Sequence, residues 1–136
     1  MTKDECRLIR FITHTDSRGS LIVAESGKEI PFEIKRVFFI NNVPAGAPRA
    51  DHASKSAQII ICTRGSCHVR THNGKVEKAF FLCHPDEGLM IPSFTWRIIE
   101  DLSSDCQLTV LSETHYDPDD YIESSRFFAT YANKNG

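Results

Sequence analysis

The chain lacks an excess of charge of either sign, which bears first on its partners. Its 136 residues carry 16 lysines and arginines against 18 aspartates and glutamates, a formal charge of −2. Nucleic-acid binding draws much of its affinity from a surplus of basic side chains that displace counterions from phosphates. The sequence therefore predicts no nucleic-acid partner, although a few arginines are compatible with one small anionic ligand.

Long apolar runs are also absent. A membrane-spanning helix needs about 18 or more consecutive apolar residues, and no stretch of this sequence reaches that length. The first residues, Met1 to Phe11, place acids beside bases and contain no apolar segment typical of a secretory signal. We therefore expect no membrane association and a cytoplasmic location.

The five cysteines include no Cys-x-x-Cys motif. Their odd number and the length of the chain argue against a disulfide framework, which small secreted domains need. Cys62 directly follows Ile59-Ile60-Ile61, a context in which cysteine acts as a small apolar side chain. We expect all five thiols to be reduced and several of them to fill space in strands.

Short apolar or alternating segments recur about every ten residues, separated by glycine, proline and asparagine, which is typical of an all-β sandwich or barrel. Eight strands are predicted at residues 21–24, 34–40, 58–63, 66–71, 76–82, 89–92, 96–100 and 107–112. Between two of them, His72-Asn73-Gly74-Lys75 predicts a hairpin with a type I′ turn.

Only the C-terminal segment has a different pattern. Pro118 is followed by Asp119 and Asp120, and proline and acids are both favoured in a first helical turn. The pattern predicts a short helix from Asp117 to about Phe128. No repeat or linker divides the sequence, so we expect one domain over residues 1–136 with a core at about 8–128.

The richest polar segment, residues 48–58, precedes the apolar strand that contains Cys62. Residues two apart in a strand share a face, so we expect His52, Ser54 and Gln58 to project inward together. The alternative is that His52 is a surface or purely structural histidine. Both interpretations are open at this point.

The spacing of this segment also allows a metal site to be tested. Metal-bearing cupins, which are small β-barrels, carry a His-x-His pair, then an acid, and a further histidine on a later strand. The corresponding positions here are His52, Ser54, Gln58 and Trp96. Only His52 is a good metal ligand, while Gln58 and Gly65 keep the cupin spacing. The sequence therefore predicts a cupin-type barrel without a metal.

Basic side chains and the only tryptophan are candidates for ligand binding. Arginine binds phosphate through two parallel hydrogen bonds, so several arginines around one cavity would suit a diphosphate. The alternative is a solvated surface. Trp96 is expected either to stack on a ring of the ligand or to pack in the core. The basic candidates are Arg18, Lys35, Arg36, Arg49, Lys55, Arg64 and Arg70.

Ordered motifs from about residue 8 to residue 128 carry a family resemblance. They are Asp16 to Leu21, Pro31 to Ile40, Pro48-Arg49, His52-Ala53 with Lys55, Gln58 with the strand after it, Gly65 to Cys67, Gly88-Leu89, Trp96, and Asp119 to Ile122. With these motifs the chain resembles the nucleotide-sugar 3,4-ketoisomerases, WxcM-like sugar cupins that act on dTDP-4-keto-6-deoxyglucose.

The resemblance implies a cupin-type double-stranded β-helix, or jelly roll, with a short C-terminal helix. It also implies a homodimer with exchanged N-terminal strands, no metal and no cofactor. The reaction would move a carbonyl from C4 to C3 through an enediol, giving a dTDP-3-keto-6-deoxyhexose for deoxyaminosugar synthesis and a surface glycan such as O-antigen or an S-layer glycan.

The resemblance assigns His52 and Ser54 to catalysis. It assigns substrate binding to Arg18, Arg36, Phe38, Arg49, Lys55, Gln58, Arg64 and Trp96.

Two positions depart from the family pattern. Ser54 stands where the family has a second histidine, and Phe38 stands where it usually has a tyrosine. One hypothesis is an active ketoisomerase with His52 as the base and Ser54 acting through a water molecule. The other is a nucleotide-sugar-binding cupin with altered activity or none.

Overall fold

Short strands account for about half of residues 5–132, the part of the chain that a computed structural model describes. The strands are β1 (Arg7–Arg10), β2 (Ile12–Asp16), β3 (Gly19–Val23), β4 (Arg36–Ile40), β5 (Arg49–Ser54), β6 (Gln58–Arg64), β7 (Cys67–His72), β8 (Glu77–Leu82), β9 (Glu87–Ile91), β10 (Thr95–Glu100), β11 (Gln107–Ser112) and β12 (Tyr121–Glu123). A 3₁₀ turn (Pro118–Asp120) precedes β12, and α1 (Ser124–Phe127) continues as a π-helical turn (Phe128–Ala132).

Two five-stranded antiparallel sheets form the body of the protein. The strand order is β1-β9-β6-β11-β4 in the first sheet and β12-β5-β10-β7-β8 in the second. Their inner faces share one cluster of buried side chains, with Ile60 and Leu108 from the first sheet and Val69 and Ile99 from the second. The all-β prediction is therefore confirmed.

The outer face of the first sheet is covered as well. Ile59 and Ile61 point away from the inner core and pack with Phe11, Ile30 and neighbouring apolar residues of the segment that follows β3. Since both faces of β6 are buried, its sequence contains a continuous run of apolar residues and does not alternate between polar and apolar ones. A smaller cluster on the second sheet joins Trp96 to the C-terminal helix.

The C-terminal helix begins at Ser124, so the predicted start at Asp117 is wrong. Asp117 caps only the 3₁₀ turn, where its side chain accepts a hydrogen bond from the Asp119 amide. Residues 121–123 instead pair with β5 as β12. The open edge of β5 offers unpaired backbone groups to this segment, and pairing there satisfies more of them than a longer helix would.

The predicted hairpin between β7 and β8 is present, but its turn is not of type I′. Only Gly74 has a positive φ, of 96°, whereas type I′ requires two such residues. The Asn73 side chain closes a four-residue loop by accepting hydrogen bonds from the amides of Lys75 and Val76.

The β2–β3 hairpin stands apart from both sheets. It forms its own two-stranded sheet, and all five residues of β2 are exposed. Leu21 at the middle of β3 is 62% exposed, and Phe39 on β4, an edge strand of the first sheet, is 69% exposed. A two-stranded hairpin is only marginally stable on its own, so this one leaves apolar surface available to a neighbour.

Candidate active site

A cavity of about 170 Å³ opens between the two sheets at one end of the barrel. Strands from both sheets line it. Its wall consists of apolar side chains with a few polar ones, as in most small-molecule sites. The polar side chains are Arg49, His52, Gln58, Arg97 and Tyr121.

Arg97 forms the floor of the cavity and is only 1% exposed. Its Nη1 donates to Oε1 of Gln58 at 2.8 Å, and its Nε and Nη2 donate to the carbonyl oxygen of Thr95. Within residues 5–132, no carboxylate lies within salt-bridge distance of this guanidinium. A buried cation without a counterion favours an anionic group in the cavity beside it.

His52 lies opposite Arg97 on the neighbouring strand β5. Burial, and after it the positive charge of Arg97, lower the pKa of His52 from its usual 6.5 to about 4, while the carboxylate of Asp51 acts in the opposite direction. Burial also lowers the pKa of Arg97 to about 10, which leaves the guanidinium charged at neutral pH. The cavity thus presents a neutral imidazole, able to accept a proton, next to a fixed positive charge.

A β-bulge next to His52 brings Arg49 to the cavity side of the sheet. Arg97 pairs with His52 and Ile99 pairs with Arg49, so β5 has one residue more than β10 over this stretch. Ala50 and Asp51 absorb it with positive φ angles of 78° and 34°. The bulge lets Arg49, Ala50 and His52 all line the cavity, which regular alternation would forbid.

Trp96 supports this bulge from the other side of the sheet. Its Nε1 donates to Oδ1 of Asp51 at 3.0 Å, and its ring packs against Phe128 in the cluster below the C-terminal helix. Neighbouring residues of a strand face opposite sides, so Trp96 points away as Arg97 points in. Of the two alternatives for Trp96, the structure shows core packing, and the residue lies outside the cavity to which the resemblance assigned it.

Three buried polar atoms near the cavity lack a hydrogen-bond partner among the described residues. They are Nε of Arg36, Nδ1 of His52 and Nε2 of Gln58. Buried polar groups in folded proteins are nearly always paired, with protein, water or ligand. The Gln58 amide is fixed in orientation, since its Oε1 accepts from Arg97, and its free N–H groups suit an oxygen acceptor.

Tyr121 lines the cavity next to His52, and Arg36 supports it from behind. Nη2 of Arg36 donates to the Tyr121 hydroxyl at 2.9 Å, and the centroids of the Tyr121 and His52 rings are 4.7 Å apart. The Arg36 guanidinium also stacks over Phe38 at 5.1 Å. These contacts hold a phenol hydroxyl beside the imidazole, where a hydroxyl can donate or accept a proton.

Ser54 does not share the cavity with His52 as the alternation of β5 predicts. Its Oγ donates to Oδ2 of Asp120 at 3.2 Å and lies 3.2 Å from the Ser56 hydroxyl. Ser56 in turn contacts Thr114 and Asp120. The carboxylate of Asp120 therefore draws the Ser54 side chain into a buried hydroxyl cluster behind the cavity wall.

The other predicted binding residues divide into two groups. Phe38, Arg49 and Gln58 line the cavity, and Arg36 contacts its wall. Lys55 is exposed outside it, and Arg64 pairs with Asp105 at the far end of β6. Arg18, 88% exposed, pairs with Asp16 in the turn of the β2–β3 hairpin.

The sequence interpretation missed Arg97 and gave no role to Tyr121. The signal for Arg97 was a charged residue between Trp96 and Ile98 in the predicted strand 96–100, because a charge among apolar neighbours needs a reason to be buried. No comparable signal marks Tyr121, since its place beside His52 depends on β12 pairing with β5.

Within residues 5–132, no helix has the length and the apolar character needed to cross a membrane.

These features define an all-β jelly roll of the cupin type with a polar cavity between its sheets. The family model described as FdtA: WxcM-like, C-terminal, matches residues 4–133, and the chain belongs to this family. The fold class expected from the sequence resemblance is thereby confirmed.

Relatives of established name agree with this family. A TDP-4-oxo-6-deoxy-alpha-D-glucose-3,4-oxoisomerase of Aneurinibacillus thermoaerophilus is 39% identical over 131 residues, which are 96% of this chain and 94% of that protein. The TDP-quinovose 3,4-ketoisomerase of Campylobacter jejuni is 36% identical with a TM-score of 0.87, covering 94% of this chain and 97% of that one.

A third relative was solved with a sugar nucleotide. This 3,4-ketoisomerase variant of Thermoanaerobacterium thermosaccharolyticum, in complex with TDP-4-keto-6-deoxyglucose, is 34% identical with a TM-score of 0.87. The match covers 99% of this chain and 96% of that chain.

Proposed function

We propose that this chain is a nucleotide-sugar 3,4-ketoisomerase that converts TDP-4-keto-6-deoxyglucose into a TDP-3-keto-6-deoxyhexose. Its family and the names of its relatives support this reaction class. The single observation that carries the assignment is a neutral His52 facing a buried, carboxylate-free Arg97 across one cavity. A base and a fixed positive charge are what proton removal beside a ketone requires.

The first step removes the proton from C3 of the sugar. The imidazole of His52 accepts it, the C–H electron pair forms a C3–C4 double bond, and the carbonyl π pair moves onto O4. Arg97 and the free N–H groups of Gln58 meet the negative charge that develops on this oxygen. Such preorganised donors act strongly in a site from which water is excluded.

The second step returns a proton to C4. The imidazolium of His52 supplies it, O3 loses its proton as the C3 carbonyl forms, and O4 gains one as a hydroxyl. We assign the oxygen-to-oxygen proton transfer to the hydroxyl of Tyr121, held by Arg36 beside His52. One carbon is oxidised as its neighbour is reduced, so the balanced reaction needs no external oxidant or cofactor.

Arg49 is the predicted phosphate-binding residue that the fold brings to the rim of the cavity. It is exposed and belongs to the same strand as His52. A guanidinium at the rim suits the diphosphate, and binding energy from that remote group positions the sugar for reaction.

The second candidate function is sugar-nucleotide binding without turnover. It is favoured by the two departures from the family pattern, because Phe38 brings no hydroxyl to the cavity and Ser54 turns towards Asp120. Loss of one acid–base group typically costs about 10² to 10⁴ in rate. Binding and turnover must therefore be measured separately.

The decisive experiment follows hydrogen exchange at C3 of TDP-4-keto-6-deoxyglucose by NMR in deuterium oxide. With the native protein we expect hydrogen exchange and appearance of the 3-keto product. Both are expected to be lost in His52→Gln. Both are expected to be kept in the control His84→Gln, which changes an exposed histidine. Tight binding of TDP without exchange from pH 6 to 9 would select the non-catalytic alternative.

We also propose a homodimer in which the N-terminal strands are exchanged. The β2–β3 hairpin, exposed throughout β2, supports this assembly, as do Leu21 and Phe39 with their large exposed apolar side chains. Arg18 reaches no described cavity residue in its own chain. Its assignment to substrate binding therefore depends on the hairpin crossing to the partner subunit.

A cytoplasmic location, a role in deoxyaminosugar and glycan synthesis, and the absence of a nucleic-acid partner stay predictions from the sequence.

A further inference from the structure

Three cysteines converge at the end of the barrel opposite the cavity. Cys62 lies near the end of β6, Cys67 begins β7, and Cys106 directly precedes β11. All three are at least 96% buried, and their sulfur atoms lie within 4.8 Å of one another. Among residues 5–132 this is the one group of histidine, cysteine or acidic side chains close enough together to share a metal ion.

The loops around the three thiols are tightly packed. Gly65, with a φ of +75°, turns the chain between β6 and β7, and a Cβ there would lie 2.8 Å from Cα of Cys106. The Cys62 thiol donates to the carbonyl oxygens of Arg64 and Gly65 at 3.3 and 3.4 Å. Backbone oxygen atoms therefore lie next to the sulfur cluster.

We propose that Cys62, Cys67 and Cys106 form a three-thiolate site for one divalent thiophilic metal ion, of which Zn²⁺ is the cellular example. Zinc–sulfur bonds of about 2.3 Å in a tetrahedron separate the sulfur atoms by about 3.8 Å. The sulfur atoms of Cys62 and Cys106 are already 3.9 Å apart. Small side-chain rotations would bring the other sulfur–sulfur distances, which are at most 4.8 Å, to the separation that zinc requires.

The negative charge of the three thiolates favours a divalent ion. Three thiolates bring three negative charges into a buried site. A divalent ion reduces the net charge of the site to −1, whereas a monovalent ion reduces it only to −2. Burial of net charge is costly, so the divalent ion fits better. The carbonyl oxygens of Arg64 and Gly65 are the nearest atoms for a fourth ligand, which zinc in structural sites normally takes.

The metal would act as a structural clamp. Cys62 and Cys106 belong to the first sheet or its border, while Cys67 belongs to the second, so one ion would join the two sheets at their closed end. Cys62 lies four positions after Gln58 on β6, about 13 Å at the rise of a strand. The site is therefore separate from the cavity, where the sequence predicts no metal.

The test titrates Cd²⁺, and then Zn²⁺ in competition, into reduced and metal-stripped native protein. The proposal expects a sulfur-to-cadmium charge-transfer band that saturates at one ion per chain, and native mass spectrometry that shows one bound ion with protons displaced. Zn²⁺ is expected to raise the unfolding temperature. Cys62→Ala and Cys106→Ala are expected to weaken binding at least about a hundredfold, whereas Cys83→Ala, a half-buried cysteine outside the cluster, leaves it unchanged.

X-ray absorption of the zinc-loaded native protein needs no variant and counts the sulfur ligands directly. Three are expected. Absence of a saturating band, a band of unchanged intensity and affinity in folded Cys106→Ala, or a zinc environment of nitrogen and oxygen only would overturn the proposal. Isomerase activity is not part of this test, so its outcome is independent of the proposed reaction.

Discussion

His52 and Arg97 are paired across strands β5 and β10 with both side chains facing the cavity. Burial, together with the charge of Arg97, lowers the pKa of His52 and keeps the imidazole neutral, while the pKa of Arg97 stays high enough for it to be charged. The same guanidinium that lowers the basicity of His52 in the free enzyme faces the charge that forms on the substrate. A bound anionic intermediate offsets that repulsion, so His52 becomes more basic as the reaction proceeds.

Arg97→Gln is expected to lower kcat/KM about 10²- to 10³-fold, because a fixed donor to the developing oxyanion is lost. The pKa of His52 is expected to rise at the same time, since the nearby positive charge is gone. Kinetics and NMR titration of the imidazole measure the two effects, with circular dichroism as the folding control. An unchanged kcat/KM in a folded variant would remove Arg97 from the mechanism.

The pH dependence of kcat/KM follows from the lowered pKa of His52. The imidazole works as a base only when neutral, so activity is expected to hold as the pH falls through 6.5 and to decline only near pH 4. Initial rates on the folded enzyme across this range test it. An acid limb at pH 6.5 would mean that His52 is not desolvated as the structure shows.

The hydrogen bond between Trp96 and Asp51 is expected to position His52 through the bulge. Asp51→Ala removes the acceptor, and we expect it to lower kcat and to reduce the free energy of unfolding by about 1 kcal/mol. Asp51→Asn keeps an oxygen acceptor for the indole and is expected to restore kcat. Equal loss in both variants would point to the charge of Asp51 and not to this bond.

Tyr121→Phe keeps the ring and removes the hydroxyl that Arg36 holds. We expect kcat to fall about 10²- to 10⁴-fold with little change in TDP binding. Tyr116→Phe is the matched control, because Tyr116 lies 6.4 Å from Tyr121 between ring centroids and is exposed. Full activity in the Tyr121 variant would assign the oxygen proton transfer to another group.

Phe38→Tyr tests whether the phenylalanine that replaces the family's usual tyrosine limits the rate of the reaction. The new hydroxyl would enter the cavity beside the Arg36 guanidinium, and an added acid–base group is expected to raise kcat by about tenfold or more. Turnover at saturating substrate is the measurement. A decrease with unchanged TDP affinity would show that this cavity is adapted to the phenylalanine.

The proposed dimer predicts that Leu21→Glu produces monomers, because a charge on the β2–β3 hairpin cannot be buried against a partner. Phe81→Glu, at an exposed position on β8, is the control and is expected to stay dimeric. Light scattering after gel filtration gives the mass. A monomeric native protein at micromolar concentration would contradict the exchange of N-terminal strands.

The strands most accessible to prediction were those with a marked apolar pattern. Residues 58–63 contain an apolar run, and residues 107–112 largely alternate polar and apolar side chains; they became β6 and β11 with nearly the predicted limits. The strands β1, β2 and β12 carry no such run. Their pairing depends on partners distant in the chain, which a local pattern does not report.

His52 and Gln58 were recognisable as site candidates because polar residues stood at the border of an apolar strand. Ser54 was misplaced because the prediction assumed regular alternation along residues 52–58. The Ser54 side chain faces the carboxylate of Asp120 and not the cavity. Asp120 is 66 positions away in the sequence, so a local pattern could not report this contact.

The sequence by itself determined an all-β domain, the absence of a surplus of positive charge, and the family to which the motifs belong. Only the tertiary structure decided what faces the cavity, because one extra residue in β5 shifts the register against β10. That shift brings Arg49 to the cavity beside His52, while ordinary alternation along β10 turns Trp96 away from the cavity and Arg97 into it. Burial then sets the charge of the histidine, a property that depends on its surroundings and not on its place in the sequence.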